Sequence, residues 1–277
     1  MITRRATLST LATVLVAGSL SATKAEGQPR ARQQRGCIGR QIRVPSRTAS
    51  SRVRQINVDE NVIELIEGSG DAALDGSLDL LAHDLVRALA FKRSEFPSLF
   101  FFDDGSAPNC IQVDDPEPMT PILPGTRGSV VLGRSITRSL LDSPKLRYLR
   151  GAALTGVVAH EFAHAYQRVN GYFDRLYGVD PKFDGTAPVR VLELHADFLA
   201  GYYMGQQEAF TSRAFLDFSE ALLALGDIAF NNPTHHGTPT ERAVCMYRGR
   251  NLAEIGGVSI HAAAEQAEQF VLGLSRG

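Results

Sequence analysis

Apolar residues return at helical spacing in several stretches of the chain. Leu78, Leu81, Leu85, Ala88 and Leu89 fall on one face of a helix predicted over 72–92. A short helix is expected at 136–141. A longer one is expected to start at Asp142 or Ser143 as its cap, with Pro144 just inside, and to stop before Gly171. Further helices are predicted over 188–201, over 210–230, where Phe210, Phe215, Phe218 and Phe230 read as core, and over 260–274, which is amphipathic. Short apolar runs bounded by turn residues read as strands at 97–102, 107–113 and 125–133, the first ended by Asp103-Asp104-Gly105. Residues 56–66 mix apolar positions with Asp59, Glu60 and Glu64 and fit a short strand or turn. The stretch 172–187, with Gly178, Pro181 and Gly185, reads as a loop.

The first 54 residues follow other rules. Residues 1–25 join a basic start at Arg4 and Arg5 to an apolar run from Leu8 to Leu20 and then small residues, the layout of a secretory signal peptide. The run is short and soon broken by Lys24 and Glu26, so cleavage is favoured over an uncleaved membrane anchor. Residues 26–54 hold eight arginines and no helical or strand periodicity, and read as a flexible basic arm. Up to residue 54 there are 11 basic residues and 1 acidic, against 18 and 29 in the remainder, so the folded part is acidic. The arm is read as a solvated linker, with weak docking to an anionic lipid or polymer as the alternative. No nucleic-acid partner is expected. With 277 residues, 44% of them hydrophobic, the rest of the chain can bury one sizeable core, and no second catalytic unit is needed. Cys37, Cys110 and Cys245 have no metal-type spacing. After export two of them could pair, and the spacing does not say which.

The chemistry concentrates in His160-Glu161-Phe162-Ala163-His164. Residues four apart on a helix share a face, so both imidazoles reach one ion, and Glu161 is set beside them as a base and not a ligand. Two neutral imidazoles plus a carboxylate, with a fourth position left to water, suit Zn2+. The apolar flanks Val157, Val158, Ala159 and Phe162 place these polar groups in a largely buried helix, which argues against a chance match on a solvated face. Glu193 and Asp197, also four apart, offer the third ligand and a carboxylate to orient a ligating histidine. His195 is the alternative third ligand, disfavoured because it points about 200° away from Glu193 on a helix. The positions where a metzincin carries its Gly and third His hold Gln167 and Asn170, which excludes that group.

His-Glu-Phe-Ala-His followed by Glu193-Leu-His-Ala-Asp197 resembles the gluzincin metallopeptidases, and is most similar to the bacterial neutral zinc metallopeptidases and the HtpX-like endopeptidases. The stretch from Thr234 to Arg242 is similar to their histidine-containing loop, and the likeness covers about 97–250. The resemblance implies an α+β fold, a mostly helical zincin-like catalytic domain with a small, largely antiparallel sheet beside the zinc helix. It also implies a metallopeptidase domain over 55–277, and an edge strand that receives an extended peptide. His160, His164 and Glu193 would be metal ligands, Asp197 their support, and Glu161 the general base. His236, at the family's spacing to Arg242, would donate a hydrogen bond to the developing oxyanion. Relatives carry an Asn-Ala pair on the strand beside the site. Here Cys110 follows Asn109, a partial match. The function so implied is an exported, periplasmic or secreted zinc endopeptidase acting on peptide or protein substrates, with a zinc-stabilised, non-catalytic binding protein as the alternative.

Overall fold

A computed structural model describes residues 54–58, 61–105, 109–113, 127–142, 151–179, 189–207, 210, 215 and 236–274. The signal peptide, nearly all of the basic arm, Cys37, His235 and most of the helix expected at 210–230 lie outside them. The fold is α+β and mostly helical. Strands β1 (Arg54–Val58) and β2 (Asn61–Leu65) form an antiparallel hairpin, so 56–66 is strand on both sides, and β1 takes in Arg54 from the end of the arm. Helix α1 (Ala72–Ala88) follows, capped by the Asp71 carboxylate, which accepts from the N–H groups of Ala73 and Leu74. Its apolar face, with Leu78, Leu81 and Leu85 buried, packs toward the centre, each side chain contributing about 1.5–3 kcal/mol relative to exposure.

Strands β3 (Ser98–Phe102), β4 (Cys110–Val113) and β5 (Ser129–Gly133) make a three-stranded mixed sheet in the order β3-β5-β4. β5 runs parallel to β3 and antiparallel to β4. With the hairpin included, antiparallel pairing predominates. β5 takes the middle because every one of its residues is buried, whereas β4 is only half-buried and lies at an edge among the described strands. Paired backbone hydrogen bonds between Ile66 and Phe101 tie the hairpin to the far side of the sheet.

Helix α2 (Arg134–Asp142) leaves β5 directly. Asp142 ends this helix and therefore does not cap the next one. Helix α3 (Ala152–Val169) begins after Gly151 and stops before Gly171, whose positive φ of 71° suits a residue without a Cβ. α3 is buried almost all round, between the sheet at β4 and β5 and the helices behind it. The expected loop at 172–187 instead begins as a short helix, α4 (Tyr172–Leu176), held down by Tyr172, which stacks on Tyr166 with ring centroids 6.1 Å apart. Helices α5 (Arg190–Gly205), α6 (Pro239–Ile255) and α7 (Ile260–Leu274) complete the helical layer, with α5 between α3 and α6. Thr238 and Glu241 cap α6 reciprocally, with Pro239 at its first position.

Glycines make the seam between α5 and α6, with Gly201 and Gly249 in the closest contact and Gly205 beside Arg250. A Cβ on Gly249 would stand 1.9 Å from the carbonyl oxygen of Phe198, and one on Gly201 would stand 2.2 Å from that of Met246. Each helix thus rests on the other's backbone. Gly249→Ala is expected to lower the thermal midpoint despite its gain in helix propensity, since overpacking costs about 1–3 kcal/mol or more against about 1 kcal/mol gained. A melt of the variant at or above the wild-type midpoint would show that the seam yields.

Candidate metal centre

α3 brings His160 and His164 to one face a turn apart, and α5 sets Glu193 opposite them in its first turn. His160 Nε2 lies 3.1 Å from His164 Nε2 and 3.1 Å from Glu193 Oε2, while His164 Nε2 lies 3.2 Å from Glu193 Oε1. Zinc bonds of about 2.0–2.2 Å in a tetrahedron put neighbouring donor atoms roughly 3.3 Å apart. The two distances to Glu193 end on different oxygens, so its carboxylate spans both imidazoles, and with one donor atom from each residue all within 4.8 Å of one another the two nitrogens and the carboxylate are a donor set that zinc accepts. Among the described residues this is the group of His, Cys, Asp and Glu side chains that converges closely enough for an ion. His195 and His236 stand outside it. Side-chain exposure rises from 7% at His160 to 17% at His164 and 14% at Glu193, so the centre is open on the His164 and Glu193 side.

Asp197 and Arg242 hold this face from behind. Asp197 Oδ1 lies 2.9 Å from His160 Nδ1, within ion-pair distance but too bent for a well-formed hydrogen bond. The same carboxylate takes a two-pronged grip from Arg242 of α6, Nε to Oδ2 at 2.7 Å and Nη2 to Oδ1 at 2.9 Å, with both residues buried. Burial opposes a charge on Asp197, yet Arg242 and His160 outweigh it and hold its carboxyl below the usual range. Burial likewise works against charge on His160, but Asp197 and Glu193 draw its pKa up to about 10. Burial would raise Glu193 too, and the two imidazoles bring it well below the normal carboxyl value.

Glu161 is 6% exposed, and burial raises its pKa, with Glu193 adding and His160, His164 and Arg242 opposing. β4 passes close to it: burial, with the Glu161 charge adding, pushes the Cys110 thiol up. That thiol and Cys245 are both free, so these two cysteines are not paired with each other. His236 is half-buried two residues before the cap of α6. Gly237 beside it packs against Leu194, where an added Cβ would meet Leu194 Cδ2 at 2.9 Å, so the loop lies along the start of α5.

No protein-family model, curated protein or solved structure matches this chain.

Two groups around the centre were not singled out from the sequence. Arg242 stands in the sequence as the end of a motif, although a buried Asp197 demands a counter-charge from some element. Gln167 stands where a metzincin carries its Gly. It is fully buried, three positions after His164, and its Oε1 lies 2.8 Å from His164 Nδ1. The i,i+3 spacing was the available signal. His195 is no ligand: Gln167 Nε2 lies 3.0 Å from its Nδ1, its Nε2 lies 3.1 Å from the Ala264 carbonyl, and burial lowers its pKa to about 3.

Proposed function

We propose that the chain is a zinc-dependent endopeptidase of the gluzincin type, exported to the periplasm or medium. The observation that carries this is the convergence of His160, His164 and Glu193, one donor atom from each lying within 4.8 Å of the other two, on a set of two imidazoles and a carboxylate that zinc accepts. Those three residues would hold the ion. A zinc ion there would supply Lewis-acid polarisation of a carbonyl and would acidify a bound water. Glu161, buried next to the first histidine, accepts the proton of the attacking water and passes it to the departing amine. Its raised pKa suits both halves of that exchange. Asp197 keeps His160 turned toward the cage, and His236 donates to the oxyanion from the loop beside α5. An extended peptide substrate adds to the outer edge of β4, whose partner β5 leaves that edge unpaired among the described strands.

Export rests on the signal-peptide pattern of residues 1–25. Among the described residues no helix is long and apolar enough to cross a membrane. The deciding experiment is digestion of unfolded casein by the purified mature chain. Cleavage is expected, loss of it with a chelator, and recovery with added zinc. A chain that carries stoichiometric zinc and cuts no casein or peptide library would be a zinc-stabilised binding protein instead.

A further inference from the structure

We propose that Gln167 and His195 are positioning residues that hold His164 in the tautomer whose Nε2 lone pair faces His160 and Glu193. The inference rests on the metal-site reading above and concerns how one ligand is kept ready. It follows from two backbone carbonyls, which can only accept hydrogen bonds.

The Leu192 carbonyl oxygen lies 2.8 Å from one end of the Gln167 carboxamide. That end must be the NH2 group, which settles the orientation of the amide. Its oxygen then faces His164 Nδ1 at 2.8 Å, and an amide oxygen cannot donate, so the proton sits on Nδ1. In a neutral imidazole the other nitrogen is then an acceptor. That nitrogen, Nε2, is the atom within 3.1–3.2 Å of His160 and Glu193.

The far end of the chain of contacts gives the same answer independently. Ala264 of α7 presents its carbonyl oxygen 3.1 Å from His195 Nε2, so that nitrogen is the donor. Neutral His195 then has a lone pair on Nδ1, which accepts the second N–H of Gln167 at 3.0 Å. Both N–H groups and the oxygen of the carboxamide have a partner, and no donor faces a donor. Gln167 and His195 are both fully buried, which leaves no water to substitute for a lost partner, and the Tyr172 ring covers His195 at a centroid distance of 4.8 Å. The relay links α3, α5 and α7, so the last helix of the chain helps to set a ligand it never touches. It also gives a reason for the histidine at position 195 that ligation does not supply.

The test has two arms. In the full chain with histidine 15N-labelled, two-bond proton–nitrogen NMR reads each ring's tautomer without metal. His164 is expected with its proton on Nδ1, and His195 as a neutral ring with its proton on Nε2. An Nε2–H form of His164, or an Nδ1–H form of His195, would overturn the relay whether or not the protein turns out to be a peptidase. In the second arm, Gln167→Met keeps the side-chain length and removes all three hydrogen bonds. Its zinc dissociation constant is expected to rise about 10–100-fold, as for lost partners of ligating histidines. The fixed Nδ1–H signal of His164 should disappear with it. His195→Phe, which fills the buried space, is expected to shift the His164 signal in the same direction. Wild-type zinc affinity in Gln167→Met, or an unchanged His164 tautomer in either variant, would refute the proposal. A chain that binds no zinc but shows the stated tautomers would instead count against the peptidase reading alone.

Discussion

Glu161→Gln is expected to keep zinc at the wild-type level and to lower kcat by about 10²–10⁴-fold, the range for loss of a general acid–base group. The substitution changes one atom and keeps the volume of a side chain that is 6% exposed, so the helix packing around it is retained. It would remove the proposed proton acceptor and nothing from the cage, because the three converging donor groups belong to His160, His164 and Glu193. Metal analysis beside casein turnover separates the two effects. Full zinc with unchanged turnover would remove Glu161 from the mechanism, and lost zinc would mean that its carboxylate is a ligand.

The second large effect is on stability. Arg242→Met strips the buried Asp197 of its two-pronged partner, and among the described residues the carboxylate keeps His160. Breaking a buried ion pair from one side costs about 3–5 kcal/mol, which for a domain of this size lowers the midpoint by roughly 6–20 °C. The cost comes from the stranded charge and not from the lost volume. Neutralising the other partner as well, in Arg242→Met with Asp197→Asn, is therefore expected to recover part of the loss. Additive losses in that double-mutant cycle would show that the pair is not coupled. The single variant is also expected to bind zinc more weakly, since Asp197 then has a choice of orientations beside His160.

The centre was legible in the sequence where the helix repeat alone dictates geometry. His160 with His164, and Glu193 with Asp197, are each one turn apart, and no knowledge of the rest of the chain is needed to put each pair on one face. What joins helices far apart in sequence was not legible. Arg242 reaches Asp197 across 45 positions and His195 reaches the Ala264 carbonyl across 69, and packing alone makes such pairs. The start of α3 was misplaced for a related reason. A helix buried on nearly every side has no polar stripe to mark where it begins, so Asp142 looked like a cap when it closes α2. The strand segments were readable as apolar runs, but the placing of β5 between β3 and β4 depends on burial on both faces, which short runs do not announce.

The glycine seam has an effect on how tolerance to change would be distributed over the chain. α5 carries the carboxylates of the centre and α6 carries the arginine that steadies one of them, and the two are joined where each lacks a side chain. A saturation survey scored only by the yield of folded protein would rank Gly201 and Gly249 among its least tolerant positions, although neither belongs to the converging donor group and both act through empty space rather than reactivity.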